Sequence, residues 1–488
     1  MTTDITNSYH LVSAVFLRLL GVVYLIAFAS LGVQLEGLVG SQGIIPIETR
    51  LAEFAATTDS TRYLHLPTLF WLNASDTALL GAALLGGLAA LLISFDRWTR
   101  PALVCAFILY LSLFHATHPF LNFQWDTLLL ESGFLAIFLT PRSRVVILLF
   151  RWLLFRLRFM SGLSKLSSGD QGWSGLTALD TYFEVQPLPN PVAWYMHQLP
   201  EWLLRFGTGA TLFIELIVPF MMFLPRRWRF AAAWITIFWQ VLIILTSNHN
   251  WINILTIILC LFLFDDKALQ RVLPERMRSS LAWQPSPQGA SGSLPLRRFG
   301  VAVLATVLFT GGSLKLYELA SNEKVPGTAG YLLNLTSVYS IVNKYHVFPT
   351  MTTYRIELEV LGSHDGKTWK PYRFWYKPDA LQERPSFIIP HQPRLDWQMW
   401  FVTLHPRHVP WFGNLLMALL DNSPTVTALL QDNPFADSLP PRYIRVQAYQ
   451  YNYTDPEERR QTGNWWKRKA LGPFTPLPWV EKPDGPTR

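Results

Sequence analysis

LVSAVFLRLLGVVYLIAFASLGV (Leu11–Val33) is an unbroken apolar run with a single charge, Arg18. A helix needs about 20 apolar residues to cross a hydrocarbon core about 30 Å thick, and this run meets that length. No basic leader precedes it and no small-residue cleavage site follows it. The expectation is therefore a retained span rather than a signal peptide. The same reading applies at Thr77–Phe95, Pro101–His115, Thr127–Thr140, Val145–Leu163, Thr208–Leu224, Phe230–Ser247, Trp251–Phe264 and Phe299–Tyr317. The pattern predicts about nine spans, of which the one from Thr127 is short enough to be tilted or re-entrant. In the second run Gly81, Gly86, Gly87, Ala89 and Ala90 offer close helix packing.

Composition points the same way. Charged residues make up 15% of the 488 residues, against about 25% in an ordinary soluble domain. They are sparse before Asp265 and ordinary after Glu318, which separates a membrane part (1–318) from a water-exposed part (319–488). The net charge of +8 follows from short basic connections between apolar runs. No basic stripe with interleaved aromatics is present, so nucleic acid is not an expected partner whereas membrane lipid is. The two cysteines, Cys105 and Cys260, lie inside apolar runs. The chain thus offers neither a disulfide framework nor a CxxC pair, and thiol exchange is a poor reading.

Charge placement sets a topology. With a cytoplasmic N-terminus, the cytoplasmic connections Asp96–Arg100, Pro141–Arg144, Pro225–Arg229 and Asp265–Arg298 hold twelve arginines, from Arg97 to Arg298. The opposite connections, 34–76, 116–126, 164–207 and 248–250, hold only Arg50, Arg62, Lys165 and Arg205. This positive-inside bias places the C-terminal domain outside the cytoplasm. The stretch Lys267–Arg298, rich in Ser, Pro and Gly around Gln284–Pro295, reads as a disordered cytoplasmic loop. In the C-terminal domain YRIELEVL (Tyr354–Leu361) alternates as a half-buried strand does, HDGK (His364–Lys367) reads as a turn, and YRFWY (Tyr372–Tyr376) as the return strand. YIRVQAYQYNY (Tyr443–Tyr453) is another strand, with helical spacing at Trp411–Leu420 and Thr425–Leu430. The fold expected is an α-helical polytopic membrane bundle followed by a β-rich domain on the outer side.

A charge inside a span is costly and so marks a functional candidate. The densest polar region runs from His115 to His197. Asp126 and Glu131 sit at the start of a span, where they either pair with arginines to hold helices together or line a polar cavity at the outer membrane edge. Arg151 reads as a snorkelling cation, whereas Arg156 and Arg158 sit deeper. Lys165 ends a span, where low-dielectric surroundings lower the cost of losing its proton and open a base or nucleophile role. Trp125, Asp170, Trp173, Glu184, Gln186 and His197 complete the candidate cavity, and Glu215 reads as a cap or ion-pair partner inside the bundle. His115-x-x-His118 is the one histidine pair with ligand-like spacing, and no metal site is expected. GxSxG, P-loop and Rossmann patterns are absent from the sequence, and no cofactor is expected.

NFQWDTLLLESGFLAIFLTP (Asn122–Pro141) resembles the lipase maturation factor family. The resemblance continues through RLRFMSGLSKLSSGDQGW (Arg156–Trp173) and LTALDTYFEVQPLPNPVAWYMHQLP (Leu176–Pro200). It extends to HQPRLDWQMW (His391–Trp400) and WWKR (Trp465–Arg468). It implies a membrane-embedded factor that assists folding of secreted proteins, with lipase-like clients. The short N-terminus and the C-terminal Pro486-Thr487-Arg488, which is no retention signal, suit a bacterial inner membrane better than the endoplasmic reticulum. GLSKL (Gly162–Leu166), followed by Asp170 and Trp173, is also similar to a motif of vitamin K-dependent γ-carboxylases. That second resemblance implies an enzymatic alternative with Lys165 as the active-site base.

Overall fold

The computed structural model describes residues 8–281 except Arg142, then 294–477 and 479–481. Arg142 and most of the linker from Gln284 therefore lie outside the described residues. The membrane part contains α1 (His10–Gly32), α2 (Asp76–Ser94), α3 (Thr99–Ala116), α4 (Gln124–Ile137) and α5 (Arg144–Ser167). The short α6 (Ala178–Val185) and α7 (Pro191–His197) lead to α8 (Glu201–Leu216), α9 (Arg226–Thr246) and α10 (Ile252–Leu259). Then come α11 (Leu294–Ser321) and α12 (Gly327–Val338).

Among the described residues six helices are long and apolar enough to cross a membrane, not nine: His10–Gly32, Asp76–Ser94, Thr99–Ala116, Glu201–Met221, Arg226–Thr246 and Phe299–Ser321. The other three predicted runs are helices of a different kind. α4 has 14 residues, most of them buried. α5 has 24 residues but carries Arg151, Arg156, Arg158 and Lys165, which exclude it by composition. Ile252–Leu263 is apolar but too short. A short or charged helix can sit at membrane depth when its neighbours shield it from lipid.

Of the small residues in α2, Gly86 matters most, because a Cβ there would overlap the Phe28 ring of α1. Gly81 has open space around it and does no packing. Ionic contacts gather at one end of the bundle: Asp266 accepts from the backbone N–H groups of His10 and Val12, Arg226 pairs with Asp265 at 2.6 Å, and Arg18 with Asp96 at 3.3 Å.

The C-terminal domain packs on the other end. Its sheet has the order β2 (Lys370–Pro371), β1 (Arg355–Ser363), β3 (Tyr443–Tyr453), β4 (Trp466–Pro473), and β5 (Trp479–Glu481) also pairs with β3. All pairings are antiparallel, and β1 lies along β3 from Arg355 opposite Tyr451 to Ser363 opposite Tyr443. Alternation puts Leu358, Val360, Ile444 and Val446 inside. There they share one core with α13 (Arg394–Val402), with α14 (Val409–Leu420) and with the bundle, which Phe120 joins through the Trp411 ring at 5.6 Å.

Two local expectations need correcting. The return strand is only Lys370–Pro371, not Tyr372–Tyr376. Tyr372 still donates to Val360 and Arg373 to the carbonyl of Asp432, but three of the N–H groups beyond them are taken by buried carboxylates: Phe374 donates to Asp379, and Tyr376 and Lys377 to Asp396. A backbone so satisfied has few donors left for a ladder. The helix expected over Thr425–Leu430 is one turn, Pro424–Thr427.

Candidate functional site in the membrane bundle

The GLSKL stretch closes the last turns of α5. Gly162 lets α8 approach closely, since a Cβ there would lie 2.8 Å from the Cβ of Glu215. That approach brings Glu215 between two cations of α5. Its carboxylate is 2.8 Å from Lys165 Nζ and 3.3 Å from Arg158 Nη2, with all three side chains buried. Lys165 also donates to the carbonyls of Val347 at 2.8 Å and Ser161 at 3.3 Å. An ammonium has three donors, and these three acceptors hold it as a cation. The Trp173 ring lies 5.0 Å from Nζ and closes the remaining side.

This triad forms the polar wall of a cavity of about 490 Å³, within the range of small-molecule sites. The other walls come from α6, α7, α8, α9 and α10 and are mainly apolar, including Leu179, Phe183, Leu204 and Ile243. Tyr182 and His249 also face it and bond to each other at 2.6 Å. Burial pushes His249 down to about 4, so it is neutral. Two cations, Arg158 and Lys165, thus face one carboxylate, Glu215.

The remaining sequence candidates fall into separate clusters. Glu131 pairs with Arg156 and accepts from Tyr345 Oη at 2.8 Å and from the Asn343 side chain at 3.0 Å. Asp126 takes both Nη atoms of Arg394, each at 2.8 Å, and the Tyr110 hydroxyl at 2.7 Å. Asp170 caps a short turn through the N–H groups of Gly172 and Trp173 and accepts the Met351 N–H at 3.0 Å. Glu184 accepts from Asn452 and the Tyr453 N–H and lies 3.6 Å from His197. The carbonyls of Glu184, Gln186 and Pro187 receive the buried guanidinium of Arg355. Trp125 stacks on Phe123 and meets Trp397 edge to face. Of the eleven candidates, Arg158, Lys165 and Trp173 line the cavity.

The others fix the C-terminal domain to the bundle. Its entry segment, 339–352, threads among the helices, satisfying Glu131 with Tyr345 and placing Val347 and Phe348 in the cavity wall. The loop 386–394 inserts beside α1 and α10. There Gln392 bonds Ser30 and Gln34, Arg394 N donates to Gln34, and Asn248 bonds both Ser386 and Ile388. Sequence reasoning missed Arg355, Arg394, Gln240 and Asn253. Arg355 shares its strand face with Glu357 and Glu359, so no sequence signal marked its burial, whereas amides within apolar spans were the available signal for Gln240 and Asn253.

A helical bundle with an internal polar-walled cavity, and a sheet domain keyed into one of its ends through buried ions, define a multi-pass membrane protein built as one unit with its C-terminal domain. The family descriptions "Lipase maturation factor transmembrane domain" and "Lipase maturation factor C-terminal domain" match residues 11–271 and 341–476. Lipase maturation factor 2 of Xenopus laevis is 33% identical, covering 98% of this chain and 84% of that protein. Human lipase maturation factor 1 is 34% identical, covering 96% and 88%. Human lipase maturation factor 2 is 33% identical, covering 94% and 82%. The chain belongs to the lipase maturation factor family. No solved structure matches it.

Proposed function

We propose that this protein is a membrane-embedded maturation factor that assists the folding of secreted proteins, lipases among them. The carrying observation is the C-terminal domain fixed to one end of the helical bundle, which presents exposed aromatics. Tyr354, Trp375, Phe387 and Trp479 are each about half exposed, and such residues serve as client-binding anchors. Trp375 lines a shallow groove with Arg384, Pro385 and Trp466. The relatives are named for lipase maturation. The positive-inside bias supports an extracytoplasmic position for this domain, where newly exported chains emerge.

The test is co-expression with a secreted lipase from the same source, scoring lipase activity per unit of lipase protein against an empty control. The expected result is a rise in specific activity that Trp375→Ala with Phe387→Ala reduces several-fold. No rise with the wild type overturns the reading. A second reading, an enzyme using Lys165, is favoured by that residue's place in the cavity wall. Lys165→Ala discriminates: full maturation activity in that variant removes the catalytic role.

A further inference from the structure

We infer that the bundle cavity is a binding site for a single-chain amphiphile with an anionic head, carboxylate or phosphate, drawn from the surrounding membrane. Four donors in its wall have no hydrogen-bond partner. These are Nε and Nη2 of Arg158, the side-chain amide nitrogen of Gln240 and that of Asn253. Their residues are 6%, 3% and 2% exposed, so bulk water does not satisfy them. Arg158 lies within ion-pair distance of Glu215 but makes no hydrogen bond to it. An orphaned buried donor costs about 1–3 kcal/mol, more when charged, so four in one wall call for an acceptor-bearing occupant.

Charge decides what the acceptor is. The cavity carries two cations against one carboxylate, and Glu215 is shared between them. A group with a negative charge completes the count; a neutral hydroxyl does not. The rest of the wall is apolar and suits an alkyl chain, including Leu203, Phe206, Leu242 and Leu245. Phe206 of α8 and Leu245 of α9 line the cavity and are also 69% and 50% exposed on the outer face of the bundle. The cavity therefore opens sideways between two helices that both qualify as spans, toward lipid rather than water.

The test uses the purified full-length protein in detergent with cis-parinaric acid, a fluorescent fatty acid, and competes it with oleate, oleoyl lysophosphatidic acid, oleyl alcohol or inorganic phosphate. Saturable binding is expected, displaced by oleate or by the lysophosphatidic acid at least ten-fold more effectively than by the alcohol. Which of the two is the stronger tells carboxylate from phosphate. Arg158→Gln is expected to weaken binding at least ten-fold. Because that change touches the ion triad, Gln240→Leu, which removes an unpaired amide and breaks no bond, is the second variant and is expected to weaken binding several-fold. The site is overturned if oleyl alcohol competes as well as oleate, if inorganic phosphate alone displaces the probe, or if both variants bind like the wild type.

Discussion

Arg394 of the C-terminal domain and Asp126 of the fourth helix form a two-pronged ion pair, with both nitrogen–oxygen distances at 2.8 Å and neither side chain reached by solvent. The residues are 268 positions apart. The pair joins the C-terminal domain to the membrane bundle at a point where water cannot replace a lost partner. Arg394→Ala is expected to destabilise the protein by about 3–5 kcal/mol, because Asp126 is then buried without a counter-ion. Arg394→Lys loses the planar fork and is expected to fall between wild type and Ala. The double variant Asp126→Leu with Arg394→Met is expected to recover most of the loss. Thermal unfolding in detergent of the wild type, Asp126→Leu, Arg394→Met and the double variant closes this cycle, and additive losses would show that the two residues do not act as a pair.

The entry segment 339–352 depends on Glu131 in the same way. That carboxylate serves Arg156, Asn343 and Tyr345 together. Tyr345→Phe removes one hydrogen bond to a charged group and is expected to cost about 1.5–3 kcal/mol. Glu131→Ala strands Arg156 and is expected to cost more. The readout is limited proteolysis: segment 339–352 should be cleaved sooner in the order Glu131→Ala, Tyr345→Phe, wild type. Equal cleavage rates would mean that Glu131 does not anchor the segment.

In the cavity wall the anion matters more than either cation. Lys165→Met leaves Glu215 its contact with Arg158, whereas Glu215→Met leaves two buried cations facing each other. The expected ranking of stability is wild type, then Lys165→Met, then Glu215→Met, with the last lower by about 3–5 kcal/mol. Gly162→Val is expected to resemble Glu215→Met, because it pushes α8 away from α5. Thermal midpoints measured in one detergent test the ranking, and a Lys165→Met loss that exceeds Glu215→Met would reverse it.

Much of the fold was legible wherever a local pattern carries its own physics. The unbroken apolar run from Leu11 became α1, and the strict alternation at Tyr443–Tyr453 became β3 with those same ends. What failed locally failed for tertiary reasons. YRFWY alternates as a strand does, but Asp379 and Asp396, several to twenty residues further on, captured its backbone donors. Six of the nine apolar runs are helices that are long and apolar enough to cross a membrane, whereas α5 falls outside that measure because it carries buried arginines against its neighbours. The site was legible as a list of expensive polar residues. Its division into a cavity wall and an interdomain interface was not, because the deciding partners, Arg394 for Asp126 and Arg355 for the carbonyls around Gln186, are set by long-range packing.

Asp396 gives the C-terminal domain a pH signature of its own. It is fully buried, and that burial pushes its carboxyl up to about 6, although the N–H groups of Tyr376 and Lys377 and the nearby Lys377 ammonium pull the other way. A carboxyl that titrates higher in the folded than in the unfolded chain binds more protons when folded across the interval between the two values. Its contribution to stability therefore falls as pH rises from about 4 to about 6 and stays low above that. The difference is on the order of 2–3 kcal/mol. Asp396→Asn keeps an acceptor oxygen for the two backbone donors but cannot titrate. The expected result is that the wild-type thermal midpoint gains on that of Asp396→Asn as the pH is lowered from 7 to 5. Midpoints that shift in parallel would mean that Asp396 titrates at the ordinary carboxylate value and that its surroundings are wetter than the packing shows.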